Sequence, residues 1–181
     1  MLVYMFLADG FEETEALVPL DLLRRAGAEA VTVSVSGSRT VTGSHGIKVE
    51  ADILPEEARF SECAAVILPG GGKGTENLSA SELVRRTVTE AAERNALICA
   101  ICAAPTVLAE LGLLTGKKAV CFPSMTDMLT GAVVSDAPVV RDGNIITARG
   151  MGVSYEFGLT VVAALFGDNT AAGLRASTCG I

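Results

Sequence analysis

A chain of 181 residues, half of them hydrophobic and 19% charged, has material for one domain with a sizeable core (1–181) and no room for two. Its net charge of −7, with basic residues scattered as the pairs Arg24-Arg25, Arg85-Arg86 and Lys117-Lys118, argues against a nucleic-acid partner, which demands clustered Lys and Arg facing phosphates. A membrane span is also not expected, because the most apolar run, Ala96 to Ala109, contains Pro105 and is followed at once by Glu110, as in a buried element.

The N-terminal run Met1–Leu7 has no basic leader or cleavage signature, and Asp9 cuts it short; it reads as a first core strand of a cytoplasmic protein. Apolar strand-like runs then alternate with amphipathic helical ones, the pattern of a parallel sheet covered on both faces. Strands are expected at Leu2–Leu7, Ala30–Val35, Ala64–Leu68, Leu97–Ile101 and Ala119–Cys121. Several are continuously apolar, as strands buried on both faces should be. Helices are expected at Glu13–Ala26, Ser81–Arg94, Ala103–Leu111 and Val153–Leu165, followed by a short amphipathic tail at Thr170–Ala176. Pro19 should make the first helix start late or bend. Two hairpins interrupt the parallel pattern: Thr40–Val49, turning at Gly43 and Gly46, and Val139–Ile146, whose Asp142-Gly143 is a strong short-loop signal.

Five cysteines, at 63, 99, 102, 121 and 179, show no disulfide spacing, and most should be buried thiols behaving as small hydrophobes. Cys102 differs by its context. A buried strand ends at Ile101 and a helix begins within two residues, with small Ala100 and Ala104 on either side, the steric requirement of a nucleophile elbow. Such a turn lifts the sulfur to the edge of the sheet beside amides at a helix start, where a thiol pKa is lowered. A Cys99–Cys102 redox pair is disfavoured, because Cys99 still lies in the strand and side chains three apart there face opposite ways.

Two further segments follow strands and should line the same crevice. In Leu68-Pro69-Gly70-Gly71-Gly72-Lys73-Gly74 the glycines can aim backbone N–H groups at a developing negative oxygen, or merely make a tight turn. The phosphate-loop pattern is not matched. In Asp9-Gly10-Phe11-Glu12-Glu13-Thr14-Glu15 the acids suit a first helical turn without any function. His45, the sole histidine, reads as a surface residue of the first hairpin, and no Cys/His/Asp group has metal-ligand spacing.

In this order the segments resemble the ThiJ/PfpI superfamily, in particular the branch of the parkinsonism-associated protein deglycase and its bacterial relatives. The resemblance continues through Asp21–Gly27, Ala100–Pro105, Arg149-Gly150-Met151-Gly152 and Glu156-Phe157. It implies an α/β flavodoxin-like, doubly wound, mostly parallel sheet sandwiched by helices, in a homodimer. It implies Cys102 as the oxidation-sensitive nucleophile, Glu15 as the carboxylic acid on that sulfur, and the Gly71 and Ala103 N–H groups as oxyanion donors. Two positions depart from the family. Phe122, in Cys121-Phe122-Pro123, stands where some relatives have a histidine, which weakens a triad hydrolase, protease or amidotransferase reading. His45 stands where relatives often have an Arg that partners Arg25 in an anion-binding spot at the dimer interface. The implied activity is a glyoxalase or deglycase acting on small reactive carbonyls such as methylglyoxal or their adducts, with no cofactor. The alternative is a stress protein or chaperone that senses oxidation through a Cys102 sulfinate without turnover.

Overall fold

A computed structural model describes residues 1–180. In chain order it begins with the strand β1 (Leu2–Leu7), the helix α1 (Glu13–Arg25), β2 (Glu29–Ser34), β3 (Thr40–Thr42), β4 (Lys48–Glu50) and β5 (Ala65–Leu68). There follow α2 (Gly72–Ala80), α3 (Glu82–Glu93), β6 (Leu97–Ile101), α4 (Pro105–Glu110), β7 (Lys118–Ala119) and β8 (Val133–Val134). The chain closes with β9 (Val139–Asp142), β10 (Ile145–Ala148), α5 (Ser154–Phe166) and α6 (Asp168–Ser177).

The main sheet has the order β2-β1-β5-β6-β10-β9, parallel throughout except for the β9–β10 hairpin at one edge. Side chains alternate across a strand, and β1 shows the consequence. Val3, Met5 and Leu7 enter one core with Leu22 and Leu23 of α1 and Phe157 and Val161 of α5. Tyr4 and Phe6 enter the other with Val84 and Val88 of α3 and Leu108 of α4. Both faces of the sheet are therefore buried, which is why its central strands are apolar at every position. Among the described residues no helix is long and apolar enough to cross a membrane.

The strand order reverses between β1 and β5, and in such sheets the crevice at the carboxyl ends of the strands there is the natural ligand position. The segments after β1, β5 and β6 open on that crevice.

Four local expectations are corrected. The Val139–Ile146 hairpin is no insert: β10 pairs in parallel with β6 and carries the sheet outward. Ala119–Cys121 does not join that sheet; β7 is two residues long and pairs with β8. Gly72 to Gly74, read as part of a glycine loop, instead open the helix α2. Its Gly74 must lack a side chain, since a Cβ there would lie 2.7 Å from the Phe11 backbone. Finally, α1 runs from Glu13 to Arg25 with Pro19 inside it. Pro19 packs against α5 at Gly158, where a Cβ would lie 2.9 Å from the Pro19 α-carbon. Tertiary packing thus holds α1 together across a residue that costs an isolated helix about 3 kcal/mol.

Candidate active site

Cys102 follows β6 directly and holds φ at +64°, a left-handed conformation that costs a non-glycine residue about 1–3 kcal/mol. Neighbouring segments pin the turn: the Cys102 N–H donates to the Ala148 carbonyl (2.9 Å) and its own carbonyl accepts from the Phe122 N–H (2.8 Å). The sulfur is partly exposed, whereas Cys63, Cys99 and Cys121 are buried and Cys179 is exposed. Cys99 lies in the core packed by α1 and α5 and forms no disulfide.

Glu15 reaches the sulfur from the first turn of α1. It is only 1% exposed. Oε2 accepts from the Gly70 N–H at 3.0 Å, while Oε1 is buried without a hydrogen-bond partner, and the carboxyl and the Cys102 thiol are close enough to shift each other's titration. The local backbone leaves no slack. A Cβ on Gly70 would lie 2.5 Å from Glu15 Oε2 and 2.6 Å from the Cys102 Cβ. Gly71, at φ +87°, packs against the Gly10 carbonyl and would place a Cβ 2.8 Å from the Glu12 amide.

Charge at the pair is governed by burial. Desolvation raises the Glu15 carboxyl to about 7, against the hydrogen bonds from Cys102 and Gly70 that favour its anion. Desolvation, together with the Glu15 carboxylate, pushes the Cys102 thiol up to about 12, although the Gly71 and Ala103 amides that meet the sulfur favour the thiolate. The expectation that a helix start lowers this thiol is corrected: α4 begins only at Pro105 and is six residues long, so two amides stand in for a dipole and burial outweighs them. Because the groups are coupled, the two values belong to the pair. The first proton leaves near neutrality and the second is held far above it, so thiol and carboxyl hold two protons between them below about pH 7 and one above it.

Glu12 and Glu13, explained from sequence by the helix dipole alone, have separate tasks. Glu12 caps α1, its Oε2 accepting the Glu15 N–H at 2.7 Å. Glu13 is buried and straps the β3–β4 hairpin down. It accepts the N–H groups of His45 (2.8 Å) and Ile47 (3.4 Å), the Ser44 hydroxyl (3.2 Å) and the His45 ring Nδ1 (2.9 Å). Burial raises the Glu13 carboxyl, but the His45 ring and these amides together bring it down to about 2. The hydrogen bond and charge of Glu13 raise His45 in turn.

The structure thus brings together Cys102, Glu15, Gly71 and Ala103, and sets two other residues apart. His45 is exposed and engaged with Glu13 and Ser44, so it supplies no base to Cys102. Arg25 lies in the last turn of α1, paired with Asp21 at 2.6 Å, at the opposite end of the helix from Glu13 and His45. Glu12, Glu13 and His45 hold ligand atoms within 4.8 Å of one another, a grouping that sequence spacing hid. Both Glu13 oxygens are already taken by the hairpin.

Sequence reasoning missed Gly70 and Gly150 as site residues. A Cβ on Gly150 would lie 3.8 Å from both Cys102 Sγ and Glu15 Oε1 and 3.5 Å from the Phe122 ring. The signal was present in Arg149-Gly150-Met151-Gly152, quoted only as part of a resemblance.

The family model described as DJ-1/PfpI family matches residues 1–164. The chain is 38% identical to the zebrafish Parkinson disease protein 7 homolog, covering 95% of this chain and 93% of that one. It is 31% identical to a Pyrococcus abyssi protein named a deglycase, covering 86% and 93%. It is 39% identical to the Arabidopsis DJ-1 homolog B over 95% of its own length, and spans 40% of that longer relative. The crystal structure of Drosophila DJ-1beta superposes with a TM-score of 0.95 at 34% identity, covering 99% of this chain and 98% of that one. Toxoplasma DJ-1, in its oxidized form, superposes at 0.94 with 32% identity and the same coverage.

Proposed function

The chain belongs to the DJ-1/PfpI family, and from that premise and the geometry around Cys102 we propose a cofactor-free, cysteine-dependent enzyme of the glyoxalase or deglycase type. Its substrates are small reactive aldehydes such as methylglyoxal, or the adducts they form. The naming of the Pyrococcus relative as a deglycase supports this class. The single observation that carries it is the buried Glu15 carboxyl, held by the Gly70 amide against the Cys102 turn.

The steps follow from those groups. The Glu15 carboxylate takes the Cys102 thiol proton as the sulfur adds to the aldehyde carbon, forming an S–C bond, and the carbonyl electron pair moves onto oxygen, to which Glu15 hands that proton. While negative, that oxygen lies against the Gly71 and Ala103 N–H groups, whose value is greatest for charge that develops during reaction. The Glu15 carboxylate then removes the hydrogen from the former aldehyde carbon and returns it to the neighbouring ketone carbon, while the hydroxyl proton on the former aldehyde oxygen passes to the ketone oxygen. One carbon is oxidised and the other reduced within the substrate, and Cys102 is left as a thioester. Water cleaves the S–C bond, releasing a 2-hydroxy acid and the thiol. The net change is addition of one water. General acid–base help of this kind contributes about 10²–10⁴-fold.

The deciding experiment is lactate formation from methylglyoxal by the wild type, Cys102→Ser and Glu15→Gln. Turnover by the wild type alone supports the reading, and wild-type protein without turnover sinks it. A second reading, an oxidation-sensing stress protein, draws on the same protonated Glu15: a carboxyl kept neutral can donate to a Cys102 sulfinate. That protein would oxidise selectively at Cys102 and convert no aldehyde. In either role we take the working form to be a homodimer in the cytoplasm.

A further inference from the structure

The groove that opens beside Cys102 has walls that the carbonyl chemistry above leaves unused. Phe122 is 46% exposed and Met151 55%, and with Pro123, Gly150 and Val153 they line a groove of about 350 Å³. Arg149 is the one charged residue on this groove, and its guanidinium donates to the Asp136 carbonyl at 3.3 Å. Single exposed hydrophobic side chains are ordinary on a protein surface. A ring and a thioether on one apolar groove against a buried thiol–carboxyl pair are a different observation.

Gly150 joins the groove to the chemistry. The point where its Cβ would stand is 3.5 Å from Phe122 Cδ2 and 3.8 Å from both Cys102 Sγ and Glu15 Oε1. Its bare α-carbon is therefore the floor between ring, sulfur and carboxyl. Phe122 is held in place by the hydrogen bond from its N–H to the Cys102 carbonyl, and Pro123 after it restricts its backbone further. A substituent on a substrate carbon bound to Sγ that extends across Gly150 meets Phe122 and Met151.

Resting on the carbonyl reading, we infer that this groove is a specificity subsite for an apolar, above all aromatic, substituent on the 2-oxoaldehyde, with Phe122 as the specificity-determining residue. An aromatic substituent meets a ring and a polarizable sulfur, contacts that favour it beyond simple burial. A polyhydroxylated, sugar-derived substituent leaves its hydroxyls facing carbon and is rejected. Apolar fit of this kind discriminates by roughly 10-fold or more.

Two measurements test it, one of them independent of turnover. In Cys179→Ser protein, Cys102 is alkylated by iodoacetanilide and by iodoacetamide, and the ratio of rates is divided by that of a small free thiol. The expected ratio is roughly 10-fold above the free thiol, collapsing in Phe122→Ala and falling part of the way in Phe122→Leu, which keeps the apolar wall without the ring. A wild-type ratio equal to the free thiol, or one that survives Phe122→Ala, overturns the inference. The second measurement compares phenylglyoxal with methylglyoxal, where the preference should appear mainly in KM and shrink in Phe122→Ala. Turnover of both aldehydes without preference refutes the subsite and leaves the proposed chemistry standing. Ring-selective alkylation without turnover of either aldehyde supports the subsite and refutes the chemistry.

Discussion

Gly70 donates its amide to Glu15 Oε2 over 3.0 Å, and the α-carbon behind that amide has no room for a side chain. A Cβ there would meet Glu15 Oε2 at 2.5 Å, the Cys102 Cβ at 2.6 Å and the Ile101 carbonyl at 2.8 Å. The Cys102 Cβ and the Ile101 carbonyl are fixed by the backbone and cannot yield, whereas Glu15 Oε2 is a side-chain tip that would be pushed off its place. Gly70→Ala should therefore cost about 1–3 kcal/mol, the range for overpacking a filled interior, and lower the melting temperature by several degrees. It should also move Glu15, altering the pH dependence of Cys102 alkylation. An unchanged melt together with an unchanged profile would show that the crevice is looser than this packing implies.

Thiol reactivity should separate the five cysteines by burial. Cys63, Cys99 and Cys121 are buried, and desolvation raises all three thiols; they should stay unlabelled by iodoacetamide in the native protein. Cys102 and exposed Cys179 are the two that should react. In Cys179→Ser, the remaining rate should show an inflection near pH 7, where the Glu15–Cys102 pair gives up its first proton. Peptide mass spectrometry finding Cys99 or Cys121 modified ahead of Cys102 would count against the structure itself.

The parallel sheet was legible because a strand buried on both faces is apolar throughout, and Leu97–Ile101 was placed to the residue. What escaped was set by contacts distant in sequence. Glycines at 72 and 74 look unlike a helix, yet α2 needs Gly74 bare because Phe11 crosses it. Pro19 looks like a break until Gly158 packs against it. The cysteine elbow could be read from small residues flanking the end of a strand. Glu15 could not be told from its neighbours by its residues, since three acids in one helical turn share one dipole argument. Burial separates them, and burial is a property of the fold: Glu12 caps, Glu13 holds the hairpin and Glu15 meets the sulfur.

The hairpin strap on Glu13 has an acid limit. Its carboxyl lies at about 2 in the folded chain against an ordinary 4.5, so its contribution to stability is complete above pH 4.5 and is lost as pH falls toward 2. Glu13→Ala should deprive the part-buried His45 and Ile47 amides of their charged acceptor and cost about 1–3 kcal/mol. Hydrogen exchange at His45 and Ile47 should accelerate in that variant at pH 7, and in the wild type only in strong acid. Protection that survives Glu13→Ala would remove the strap from the account.

Association is predicted along α1. Leu17 is exposed on that helix beside a depression of about 500 Å³ that also involves Val18, Arg25 and Tyr155. Light scattering at micromolar protein should give twice the 18.6 kDa chain mass, and Leu17→Glu should shift the population toward monomer. A wild type that stays monomeric would refute the dimer.

Glu15→Gln should make the protein more stable and less active at once. The Glu15 carboxyl is raised from 4.5 to about 7 by burial, so between those values the folded chain holds a proton that the unfolded chain has released. The unfolded state binds fewer protons there, and stability falls as pH rises. The accumulated cost above pH 7 is about 3 kcal/mol, from 1.36 kcal/mol for each unit of displacement. Glutamine keeps the acceptor for the Gly70 amide and offers a donor to the sulfur without a charge to desolvate. Its melting temperature should match the wild type near pH 4.5 and exceed it increasingly toward pH 7 and above. Turnover of aldehyde should meanwhile fall by roughly 10²-fold or more, the scale of losing general acid–base help. A purely structural carboxyl at this pKa would give the same pH slope of the melt and leave the rate unchanged. A melting difference that stays flat from pH 4.5 to 8 would mean that Glu15 titrates normally, leaving Cys102 without a proton-handling partner.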